Sequence, residues 1–211
     1  MKKQNVEHAT AERILDAAQE IFIAKGFEGS SINDIANKAK INKSLIYHHF
    51  SNKGDLWKAV KKHLLLKHVG DLSFEVNFSM DSFKSFLESF VTMRFKFYDN
   101  NPDIVRLITW QRLENTEEDI SGIQDKKFSS VVPQIIEFQQ KGEVRADLDP
   151  KMINYLIMRT ASMAFMEKPD FFEEQEVEEN KKKFLELVIE SLYLAFSTTN
   201  APKENYKPRI Y

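Results

Sequence analysis

Residues 27–56 constrain the fold of this chain more than any other stretch. Two short segments of helical apolar spacing lie either side of a tight break, and a longer helical pattern follows. In the first segment Ile32, Ile35, Ala36 and Ala39 recur at three- and four-residue intervals, on one helix face. In the second, Leu45, Ile46 and His49 share one side, while Lys43, Ser44, Tyr47 and His48 point the other way. Helices this short do not hold themselves in water; they persist by burying one face. The opposite face is then a rigid polar surface, and the pattern predicts a helix-turn-helix near the N-terminus.

The helix ends are written in the same stretch. Helix one is expected from about Thr10, with Ile14, Leu15, Ala18, Ile21 and Phe22 inward. Gly26 suits its C′ position because glycine accepts left-handed backbone. Ser31 with Asp34, and Asn52 with Asp55, have capping-box spacing, and Asn42 is placed to cap helix three. Helix four then carries Leu56, Trp57, Val60 and Leu64.

Beyond it, apolar spacing stays helical almost throughout. Helices are expected over about 81–99, 103–115, 125–140 (kinked at Pro133), 150–166 and 176–198. Asn101-Pro102 and Asp149-Pro150 each pair a cap with proline at the first helical position. No strand alternation or repeat interrupts this. The expectation is an all-α fold of about nine helices: a head at 8–68, a larger helical domain at 69–200 and a tail at 201–211.

Composition narrows the function. Residues 1–68 carry 12 Lys+Arg against 7 Asp+Glu, and the remainder 18 against 25. A basic head on an acidic body suggests that only the head approaches phosphate. Cysteine is absent, so disulfides and thiolate metal sites are excluded. No apolar run resembles a secretory signal or reaches the length of a membrane span, so the chain is read as cytoplasmic, without a membrane partner.

A helix-turn-helix lays its second helix in the major groove of duplex DNA. Lys43 and Ser44 then stand where side chains reach base edges or phosphates. Tyr47 reads as a groove residue, with a core aromatic as the alternative; His48 has donors for phosphate or base. Ser30 and Ser31 precede a helix N-terminus, a natural phosphate site. Lys40, Asn42 and Lys53 flank the same surface. Adjacent histidines on a helix diverge, and His48 and His49 have no further ligand at metal spacing, so neither metal nor cofactor is expected. An all-α enzyme would need a nucleophile with a base, a metal constellation or a phosphate loop, and the sequence offers none. A helical adaptor that has lost DNA binding is the other reading, and the polar face of helix three counts against it.

The segment 10–65 resembles the TetR-type bacterial transcriptional regulators. The resemblance is carried by Gly26-Phe27, Ser30-Ser31, Ile35-Ala36, Ala39, Ile46, Tyr47, Phe50, Lys53 and Leu56. Three positions depart from the pattern: Lys40 where glycine is usual, Ser44 for a small residue and Gly54 for an acid. The resemblance implies a homodimer on a palindromic operator in double-stranded DNA, joined through the last two long helices. Met152, Tyr155, Arg159, Phe184, Val188 and Leu192 are the expected interface residues. It also implies a small-molecule effector that lowers operator affinity, as in a repressor. Phe86, Phe90, Met93, Phe97, Trp110, Phe128, Met158 and Met163 suggest an apolar or aromatic ligand, and Arg94 a polar anchor for it. The same stripes also describe an ordinary core.

Overall fold

The computed structural model describes residues 2–69, 79–113, 130–172 and 175–200. Among them are nine α-helices: α1 Lys2–Lys25, α2 Ile32–Ala39, α3 Lys43–His49, α4 Lys53–Val69, α5 Phe83–Asn100, α6 Pro102–Leu113, α7 Val132–Gln140, α8 Pro150–Glu167 and α9 Val177–Phe196. The all-α expectation holds: among the described residues the only extended pairing is an isolated bridge between Val144 and Ser197. Helix one starts earlier than expected, at Lys2 rather than near Thr10. Pro133 does not kink a helix; it lies in the first turn of α7, where its missing N–H costs nothing. The expected starts of that helix at 125–129, its residue Phe128, and the tail at 201–211 lie outside the described residues.

The chain forms two compact units: Met1–Glu75 with Asn101–Asp125, and Val76–Asn100 with Lys126–Tyr211. Helix α6, expected in the larger domain, therefore groups with the head. The reason is chemical as well as geometric: Arg106 Nε and Trp110 Nε1 of α6 both donate to the Ile23 carbonyl of α1, at 2.8 and 3.0 Å.

In the head, Ile14, Ala18, Phe22, Ile35, Ile46, Leu56, Trp57 and Val60 are almost wholly buried. Phe22 meets Trp57 edge-on at 4.9 Å, a favoured aromatic geometry. Gly26, at φ 73°, turns the chain out of α1, and its N–H closes onto the Phe22 carbonyl at 2.9 Å. In the larger unit, one core joins Phe83, Phe86, Leu87, Phe90 and Val91 of α5 to Ile135 and Phe138 of α7, Ile153 and Ile157 of α8, and Val188 and Leu192 of α9. The segment after α7 fastens this unit at one end. Glu143 Oε2 accepts from the Phe83 N–H at 2.7 Å, capping α5, and the Arg145 N–H reaches the Phe196 carbonyl at 2.9 Å.

Candidate functional site

The site is built on the shortest helices. Ser31 caps α2, its Oγ accepting from the Asp34 N–H at 3.1 Å. The Asp34 carboxylate takes the Lys25 ammonium at 3.2 Å, tying the end of α1 to α2, and also interacts with Ser31. Those two contacts, Lys25 first, hold the Asp34 carboxyl below its ordinary value. At its other end α2 stops at Lys40, in left-handed backbone (φ 54°, ψ 47°). The Ile41 N–H closes onto the Ala36 carbonyl, as in a Schellman ending. Arg13 of α1 adds a hydrogen bond to the Ala39 carbonyl at 2.8 Å. That arginine carried no sequence signal, because its acceptor lies 26 residues away.

Helix α3 begins at Asn42, whose Oδ1 accepts from the Ser44 N–H at 3.0 Å. One side is pinned by Ile46, which is 0% exposed. On the other side Lys43, Ser44, Tyr47 and His48 are all exposed. Tyr47 is 47% exposed, which removes the core-aromatic alternative, and Lys43 Nζ lies 5.8 Å from its ring centroid. The exposed rim continues through Ser31, Lys40 and Asn42.

Two expected contact residues stand elsewhere. Ser30 is buried, and its hydroxyl donates to the Phe27 carbonyl at 2.7 Å. It shapes the turn, and its hydroxyl is not offered outward. Lys53 is half-buried; its ammonium donates to the carbonyls of Phe27 and Ser30 at 2.7 and 3.1 Å and lies 4.3 Å from the Phe27 ring centroid. Lys53, one of the positions expected to meet phosphate, is first a brace between α4 and the turn before α2.

In the larger unit, Phe86, Phe90, Phe97 and Arg94 are buried, and Met93, Met158 and Met163 are half-buried. Arg94 Nη2 donates to the Tyr98 hydroxyl at 2.6 Å, with the Phe90 and Tyr98 rings within 6 Å. Burial pushes its guanidinium below the ordinary arginine value; Tyr98 opposes this and Arg159 adds to it. Trp110 is a correction to the expected lining, since its indole N–H is bound to α1 in the other unit.

The expected dimer residues divide. Met152 and Tyr155 are 69% and 59% exposed and Arg159 is exposed on α8. On α9, Val188 and Leu192 are each 6% exposed, and Phe184 packs on the same core. Those three form the inner stripe, so they are not an external face. Leu187 and Leu194, 61% and 47% exposed, occupy the outer one together with Leu156 of α8. Periodicity finds an apolar stripe but does not say whether its partner is in the same chain.

A capped helix pair with its second member anchored inside and polar outside defines a helix-turn-helix DNA-binding protein. Residues 14–60 match the family model for bacterial regulatory proteins of the tetR family, and residues 87–192 match the tetracyclin repressor-like C-terminal domain. The chain belongs to the tetR family and is a DNA-binding transcriptional regulator. It is 26% identical over 158 residues to the HTH-type transcriptional repressor SCO4008 of Streptomyces coelicolor, covering 74% of this chain and 78% of that protein. Among solved structures it is similar to SCO4942 of the same organism, with a TM-score of 0.63 and 23% identity over 89% of this chain and 98% of that one. It is also similar to FadR of Bacillus subtilis in complex with stearoyl-CoA, with a TM-score of 0.60 and 18% identity over 84% and 97%. Among the described residues no helix is long and apolar enough to cross a membrane.

Proposed function

We propose that the chain is a repressor that binds a palindromic operator as a homodimer and leaves it when a small apolar or aromatic molecule occupies the larger unit. The observation that carries the reading is the two-sided character of α3. Ile46 fixes it from within, while Lys43, Ser44, Tyr47 and His48 present a donor-rich surface with an aromatic ring. Lysine reads guanine, serine pairs with several bases, and an aromatic edge meets the thymine methyl group. Ser31, Lys40 and Asn42 border that surface and supply phosphate contacts that set register. Lys53 keeps one N–H beyond its two carbonyl bonds for the same purpose.

Dimerisation is supported by the outer faces of α8 and α9. Met152, Tyr155, Leu156, Leu187 and Leu194 are large apolar residues that the chain's own core leaves uncovered, and such patches mark interaction surfaces. Two-fold symmetry then asks for half-sites about 34 Å apart, one helical turn of DNA. The repressor sense follows the curated relative named above, and the effector class follows the phenylalanines and methionines of the larger unit.

The test is selection of duplexes from a randomised pool, followed by salt-dependent gel shifts. Lys43→Ala and Tyr47→Ala should each weaken the selected duplex by about 1–3 kcal/mol and relax its sequence preference. Wild-type protein that shows no salt-dependent DNA binding would favour the adaptor reading.

A further inference from the structure

We infer that Arg106 and Trp110 of α6 are positioning residues for DNA reading: together they fix the point at which α1 ends and so set the direction of α2 and α3. The inference rests on the DNA-reading role of the head, and it concerns residues far from the exposed surface of α3.

The last carbonyls of an α-helix have no donor four residues on. In α1 the Gly26 N–H takes the Phe22 carbonyl, and Gly26 then leaves helical backbone. The next carbonyl, that of Ile23, receives two donors from α6, Arg106 Nε and Trp110 Nε1. The donors are four residues apart, on one face of α6. A carbonyl oxygen has two lone pairs, so both bonds form together. Seven residues on, Lys53 of α4 holds the Ser30 carbonyl, and it also holds that of Phe27. The turn leading to the Ser31 cap is thus suspended from side chains of α6 at its start and of α4 at its end. Within the turn, the Ser30 hydroxyl and N–H both close onto the Phe27 carbonyl, at 2.7 and 3.4 Å, but these bonds lie past Gly26 and do not reach the Ile23 carbonyl that α6 holds.

Specific and non-specific DNA binding respond differently to such a grip. Non-specific affinity follows charge and counterion release. Specific affinity needs side chains placed at base edges. Loosening the end of α1 therefore lowers the ratio of the two without removing any DNA contact.

The test uses full-length Arg106→Met, Trp110→Phe and the double variant against the duplex selected by wild-type protein and against a random duplex. Each single variant leaves Ile23 one donor, so its specific-to-random affinity ratio should fall by no more than about threefold. The double variant should lose about tenfold or more, beyond the product of the singles, because the two donors share one acceptor. A folded double variant with the wild-type ratio overturns the inference. Amide hydrogen exchange gives a second readout that needs no DNA. In the double variant, protection over residues 26–35 should fall about tenfold while α5 and α7 keep theirs; unchanged protection there also overturns it. If the double variant does not fold, Trp110→Phe alone is followed by exchange, and a wild-type pattern under mild denaturant counts against the inference. Wild-type protein that selects no duplex would defeat the reading of the head, and the exchange result would still decide the grip.

Discussion

Within the head, sequence and backbone disagree at Lys40. Left-handed backbone costs a side chain with a Cβ about 1 kcal/mol relative to glycine, and Lys40 sits at φ 54°. Lys40→Gly should therefore stabilise the head by about 1 kcal/mol in urea titrations. If lysine is kept there for phosphate, the same variant should bind DNA more weakly and with a shallower salt slope. Asp34 makes a pH prediction. Its carboxyl is held below its ordinary value of 3.8 by Lys25 and Ser31, so the link between α1 and α2 is complete above that value and lost as pH falls through the lowered one. Asp34→Asn should be less stable than wild type at neutral pH, and the difference should close in strong acid; a constant gap from neutral pH to acid would show that the pair contributes nothing. These positions were legible beforehand, because a cap and a C′ position depend on neighbours within one turn. Ser30 was not: serine at 30 and serine at 31 look alike in sequence, and only burial separates the brace from the cap.

At the level of the helix, the question is which stripe faces which neighbour. Helix α9 carries Phe184, Val188 and Leu192 on one side and Leu187 and Leu194 on another. Both stripes are apolar, and periodicity weighs them equally. Burial decides between them, and it also predicts two different defects. Leu192→Ala should cost about 2–5 kcal/mol of stability by leaving a cavity in the core. Leu187→Glu should leave the fold intact and shift the protein to monomer in sedimentation equilibrium. A Leu187→Glu variant that remained fully dimeric would remove α9 from the interface. Helix α7 shows the converse case. Pro133 reads as a kink if the apolar pattern is extended back to 125, and as an N-terminal residue once the helix starts at Val132.

For the whole molecule, charge and apolar lining belong to different parts of the chain, and so do the two ligands they suit. The basic excess of residues 1–68 gives DNA affinity its salt dependence, while the aromatic core of the larger unit holds no such charge pattern. An effector acts on DNA only through its differential affinity for the DNA-competent state; a preference of about 3 kcal/mol would weaken the operator complex on the order of a hundredfold. Titrating apolar aromatic compounds into the protein–operator complex should reveal one that raises the apparent dissociation constant while the thermal transition rises. A compound that binds tightly and leaves operator affinity unchanged would break the proposed coupling.

Sequence alone determined the nine-helix character, most helix ends and the polar face of α3, because each depends on residues three or four apart that a short helix brings together. Tertiary structure alone decided that α6 joins the head, that Lys53 and Arg13 spend donors on distant carbonyls, and that the inner stripe of α9 belongs to its own core. Those facts turn on contacts between residues 23 to more than 80 positions apart in the chain, such as Arg106 on the Ile23 carbonyl. A side-chain donor and a backbone carbonyl have no periodicity in common, so nothing in the local pattern announces that they will meet.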